Sequence, residues 1–433
     1  MRSERIFFLT LATVATLAVS NLLNVSTSTN KFTESYPAVV CSPNLSGLSS
    51  AISLENGKAE IRKTGTKSMK TRPAGVSRYA ISSQSAVIES GEVTPIIWQT
   101  RKGVWAGAAP CSGPVTSQWF VGATADITSK GTLNLVNSGL GKAVITVSVF
   151  TENGVATPRD VVVGANSLLS LPLVSLAPGS KKIALHIKPK SGRVNGFVVD
   201  ERGRGLKALG GDLVNSTGDP EKTLHIPAIP QQVIRNVATP HTLRLYVPGA
   251  IDARISAEIR STDGTFSPVG INGKIVSHQK VVEIPMKLKM GSGKFSLHIS
   301  SDQPILGSVF SKTSAQGKSD FIWSTATPEL QPFTLATNGL APTLVLTGKE
   351  IKVTLELLSS SGTVKKVELR GEDIKTYSVP ASTRSVTFKK ISEGTFGAAL
   401  ISSKSGSGYV PLAPGSVLTK TSIPSSNISV LNP

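Results

Sequence analysis

The chain has 433 residues and a net charge of +19, with apolar residues at 39% and aromatics at 5%. Its 39 glycines and 26 prolines, together with abundant Val, Ile and Thr and no long amphipathic helical pattern, suit short strands joined by tight turns; the class expected is all-β. The positive charge is spread evenly and lacks interleaved aromatics, which argues against a nucleic-acid module.

Arg2 and Arg5 open the chain, and an apolar run starts at Ile6. Ala18-Val19-Ser20 has the small-x-small form that signal peptidases cut, yet the run continues to Leu23. Residues 1–30 therefore read as a signal peptide or as an uncleaved transmembrane helix. Either way the remainder is expected to be extracytoplasmic, secreted or held at the cytoplasmic membrane. In that compartment the two cysteines, Cys41 and Cys111, are expected to pair. Closing a loop of about 70 residues would stabilise by about 4 kcal/mol in the chain-entropy model.

From there one pattern recurs with a period of about 100 residues, too long for a propeller blade or a solenoid turn. An L-x-L-like strand starts at Ile52, Leu133, Leu243 and Leu344. In the last three cases the next strand alternates, with Ala143, Ile145, Val147 and Val149, then Ala253, Ile255, Ala257 and Ile259, then Val353, Leu355 and Leu357. A single apolar face at period two marks a half-buried strand. Turns ending at Gly154, Gly264 and Gly362 follow, then strand-end prolines at Pro172, Pro285 and Pro380. The expected architecture is four tandem antiparallel β-sandwich (Ig-like) units after the N-terminal hydrophobic segment. Their boundaries are 31–114, which holds both cysteines, then 115–213, 222–331 and 332–433, with a linker at 214–221.

Each unit closes with a hairpin whose tip is basic and glycine-rich. Arg101, Lys102, Arg202, Arg204, Lys318 and Lys404 are the candidate contacts for an anionic polymer, by multivalent binding; the plain alternative is a solvated hairpin whose charge discourages edge pairing. Trp105, Trp119, Phe120 and Trp323 are candidates for packing between units or for a ligand platform. The five histidines are dispersed, and no HExxH, C-x-x-C, G-x-S-x-G or phosphate-binding loop occurs. No catalytic residue, metal site or cofactor is nominated, and the protein is expected not to be an enzyme.

The segments "CSGPVTSQWFVGATAD" and "LNLVNSGLGKAVITVSVFTENG" together resemble an uncharacterised family of actinobacterial secreted or membrane-anchored proteins. Cys111, Trp119, Phe120, Val121, Gly122, Leu133, Leu135 and Asn137 carry the resemblance, and Ser138 departs from it. It implies an envelope location and no activity. The function expected is a non-enzymatic envelope scaffold or interaction module, with an anionic wall polymer, lipid headgroups or another envelope protein as partner and no nucleic acid. The rival is a protein that binds or processes cell-wall glycan.

Overall fold

The computed structural model describes residues 32–35, 38–66, 69–82, 84–89, 93–205, 207–234, 236–286, 288–416 and 421–424. Residues 37–418 form one compact unit; the other unit, the two chain ends, contains Phe32–Ser35 paired antiparallel with Thr421–Pro424.

Four four-stranded blades make up the inner layer. The first is ordered Arg78–Ile81, Ser49–Ser53, Ile96–Arg101, Trp105–Pro110; the second Ser167–Pro172, Thr132–Asn137, Asn195–Arg204, Lys207–Val214. In the third blade Val281–Met286 and His241–Tyr246 lead to the end of the long strand Gly293–Ala315 and then to Lys318–Thr325. In the fourth, the end of Val364–Ser378 and the start of Thr343–Ser359 lead to Phe396–Ser402 and Ser407–Pro411. A second sheet backs each blade. In the first two modules it is a separate sheet. In the last two, the strands Gly293–Ala315, Thr343–Ser359 and Val364–Ser378 run through both layers, so the sheets curl into two half-barrels.

Apolar alternation builds the backing sheets. In Ala143–Thr151, residues 143, 145, 147 and 149 are buried and residues 144, 146 and 148 are partly exposed; Ala253–Ser261 behaves alike. The innermost strands break this rule. Trp105–Pro110 and Lys318–Thr325 are buried on both faces over nearly their whole length, because each lies between neighbouring blades.

Core membership shows that the blades close on themselves. Val199 and Leu213 of the second blade complete the core of the first module, and Phe321 and Trp323 of the third complete that of the second. Ala228 and Ile322 of the third module pack with Val345, Leu400 and Tyr409 of the fourth. Ile96, Trp98, Ala106 and Ala108 of the first blade then enter the core of the fourth module. The sheets thus form a four-bladed β-propeller with two curled half-barrels. The expected string of four Ig-like sandwiches is corrected: the inner strands that such units would leave at a solvated surface are shared between modules.

Backbones approach closely at the axis. A Cβ on Gly211 would lie 2.7 Å from Trp105 Cε2, and one on Gly408 would lie 2.7 Å from Ala108 N; only glycine permits such contact. The segment read as a linker is also structural, since Asn215 is buried and its Nδ2 donates to Ala108 O at 3.2 Å and Tyr409 O at 2.7 Å. Cys41 and Cys111 are disulfide-bonded inside the first module.

The signal peptide or transmembrane helix read from residues 1–30 lies outside the described residues, among which no helix is long and apolar enough to cross a membrane.

Candidate functional site

The ring determines where the basic hairpin tips go. Close contacts set the innermost hairpins side by side, Gly406 against Ala106 and Asp320, Lys318 against Gly103 and Arg101 against Glu201, so the hairpin ends at 102–104, at Arg204 and Lys207, at 316–317 and at 403–406 reach one mouth of the propeller. Direct bonds tie them together. Arg101 of the first blade pairs with Glu201 of the second, Nη2 donating to Oε2 at 2.9 Å while Nε lies 2.9 Å from Oε1 as an ion pair. Lys318 of the third blade reaches the tip of the first, its Nζ donating to Gly103 O at 2.7 Å.

Charge accumulates at this mouth. Lys102, Arg204, Lys207, Lys318 and Lys404 are exposed. Among the described residues, Lys102, Arg204, Lys207 and Lys404 have no acidic partner. Glu201 is the acid on these tips, and Arg101 occupies it. Lys207, which faces Arg204 across the second hairpin, was not nominated from sequence, although its place beside the turn is the same signal as that of Arg204.

Arg202 differs from its neighbours. It turns inward, with Nε 3.1 Å and Nη2 2.8 Å from Asp200 Oδ2, and lies 4.6 Å and 4.8 Å from the ring centroids of Phe310 and Phe321. It packs between modules and is not a surface contact. The aromatics supplied by the third blade, roughly a hundred residues away, draw it in by cation–π attraction.

Below the tips lies a floor of buried carboxyls that sequence reasoning passed over. Asp212 accepts from Trp323 N at 2.7 Å and from Leu213 N at 2.8 Å, and Asp320 accepts from Gly211 N at 3.2 Å. Asp320 Oδ2 is buried without a hydrogen-bond partner. Burial pushes the Asp320 carboxyl up to about 7 against backbone donors that favour the anion. Burial also raises Asp212 well above the carboxylate range, with Asp320 and Asp200 adding to the effect.

The four nominated aromatics are interior. Trp105 and Trp323 are fully buried, and Trp119 and Phe120 nearly so. Trp323 donates from Nε1 to Asp200 Oδ2 at 2.9 Å. Trp119 stacks on His186 at 3.9 Å and meets Phe150 and Tyr246 at the junction of the second and third modules. None presents a ring face to a sugar.

One serine–histidine contact needs separate treatment. Ser117 Oγ lies 3.0 Å from His186 Nε2 and donates to Asp219 Oδ1 at 3.3 Å. The carboxylate here holds the serine and not the imidazole, so nothing orients the histidine as a base, and the arrangement lacks the order of a nucleophilic triad. Burial, then Lys188, hold the imidazole below its ordinary value. Among the described residues no group of three or more His, Cys, Asp or Glu side chains is placed to hold a metal ion.

A family model described as "Family of unknown function (DUF5719)" matches residues 79–404. No curated protein matches the chain.

Proposed function

The chain belongs to that family of unknown function, and from its geometry we propose that it is a non-catalytic, extracytoplasmic binding protein whose basic propeller mouth takes an anionic glycan of the cell envelope. The observation that carries this reading is the convergence of cations from all four modules on one mouth, where the single acid of the tips is already paired. Repeated positive points at fixed spacing suit a polymer with repeated negative groups, because each contact raises the effective concentration for the next.

A neutral sugar fits less well, because neutral sugars are held largely by stacking on exposed rings and the candidate rings are buried. Acidic sugars need no such ring.

Binding of the full chain to polygalacturonate, a uronate polymer, and to a neutral glucan tests the reading. The expected result is binding to the uronate polymer alone, weakening as salt screens the charges. Each cation near a surface of negative charge contributes about 1 kcal/mol. The triple variant Lys102→Gln, Arg204→Gln, Lys404→Gln should therefore lose about a hundredfold in affinity. Equal binding of the neutral glucan, or unchanged affinity of the triple variant, overturns it.

A further inference from the structure

A second basic feature lies away from the mouth, on the outward face of the fourth module's backing sheet. A cleft of about 450 Å³ opens there between Lys352, Thr354, Lys366, Lys390 and Ser392. Its lysines come from three adjacent strands, Thr343–Ser359, Val364–Ser378 and Thr383–Ile391. The strand order sets them around one hollow, because residues two apart share a face.

The charges on this face do not cancel. Glu356 pairs with Lys389 at 3.5 Å, and Glu368 pairs with Arg370 at 2.9 Å. Lys352, Lys366 and Lys390 are exposed and, among the described residues, have no acidic partner. Glu368 lines the cleft and is the acid taken by Arg370; Glu350, on the strand that carries Lys352, and Glu393, on the turn after Ser392, do not line it. Three unneutralised ammonium groups around one concavity concentrate an anion more strongly than the same charges spread over a convex surface.

The wall is also held in place. Ser392 Oγ accepts from Lys352 N at 2.9 Å and donates to Glu350 O at 2.9 Å. This fixes the turn after Lys390 against the strand that carries Lys352. Preorganised walls lower the ordering cost of binding.

We propose that this cleft is a binding site for a ligand whose phosphoryl groups together carry at least two negative charges. Ammonium groups act as point charges that adapt to the several oxygens of a phosphoryl group, and three of them around one hollow suit a ligand with more than one negative charge. The volume falls in the range of small-molecule pockets, so the phosphoryl group is part of something larger than a lone oxyanion. The site is independent of the propeller mouth and does not share its residues.

The test is calorimetric titration of the full chain at low ionic strength with two probes, pyrophosphate and a short poly(glycerol phosphate). It compares wild type with Lys366→Gln and Lys365→Gln. Lys365 precedes Lys366 on the same strand, and strand alternation places it on the opposite face. Both variants lose one charge, so only geometry separates them. Lys366→Gln should weaken binding about tenfold, and Lys365→Gln should leave it within twofold. This pattern with pyrophosphate points to a free phosphoryl compound, and with the polymer to a phosphodiester chain. If neither probe binds wild type, or if both variants lose affinity equally, the site does not exist as described. The mouth is intact in both variants, so failure here leaves the reading of the mouth standing.

Discussion

Asp320→Asn should stabilise the protein at neutral pH by up to about 4 kcal/mol, an unusual outcome for a change in a buried core. In the folded state this carboxyl holds its proton up to about pH 7, because burial disfavours the anion. An unfolded chain releases that proton near pH 4. Below pH 4 both states are protonated and the group has no effect on stability. Between pH 4 and pH 7 the unfolded state gains by ionising while the folded state does not, so stability falls as pH rises, and above pH 7 the loss is constant. Asparagine keeps the oxygen that accepts from Gly211 N and places an uncharged amide where Oδ2 has no partner. Urea unfolding at pH 4.5, 6 and 7.5 checks this: the gain should be about 1 kcal/mol at the first, larger at the second and full at the third. A destabilised variant, or a gain independent of pH, would show that the aspartate is accommodated as an anion.

Trp323→Ala should act in the other direction and cost about 5 kcal/mol. Truncating a large buried ring typically costs 3–5 kcal/mol through lost transfer energy and the cavity left behind. Here the side chain does more than fill space. Its indole bonds Asp200, it lies 4.7 Å from the Arg244 guanidinium, and it supplies the third blade's share of the second module's core. Against a total stability of 5–15 kcal/mol, that loss leaves little margin. Phe266→Ala, at a ring that is 37% exposed at the protein's edge, should change the unfolding free energy by less than about 1 kcal/mol. Denaturant titration of both variants checks the contrast, and equal costs would contradict the assigned role of the inner strands.

Much of the local structure was legible because strand alternation is a local signal. The apolar positions 143 to 149 and 253 to 259 point inward where period two puts them. Ring closure is not local: whether four modules extend or close depends on surfaces separated by hundreds of residues. A trace of it was nevertheless present. The stretches "WAGAAP", "GGDLV", "FIWST" and "GYVPL" lack the polar alternation of strands with one solvated face, and they are the strands sandwiched between blades. The basic tips could be read individually, but Arg202 and Arg204 look equivalent in sequence and differ only because Phe310 and Phe321 stand beside one of them. Asp212 and Asp320 drew no notice as scattered acids, since their importance arises from burial at an axis the sequence did not reveal.

The most direct test of the closed ring is amine cross-linking of the protein at high dilution with a short reagent, followed by peptide mapping. Lys318 donates to the carbonyl beside Lys102 across the axis, so a Lys102–Lys318 link between the first and third modules is predicted. If Lys102 links only to lysines of its own or the following module, with no bridge to the third, the modules are strung out and the propeller is wrong.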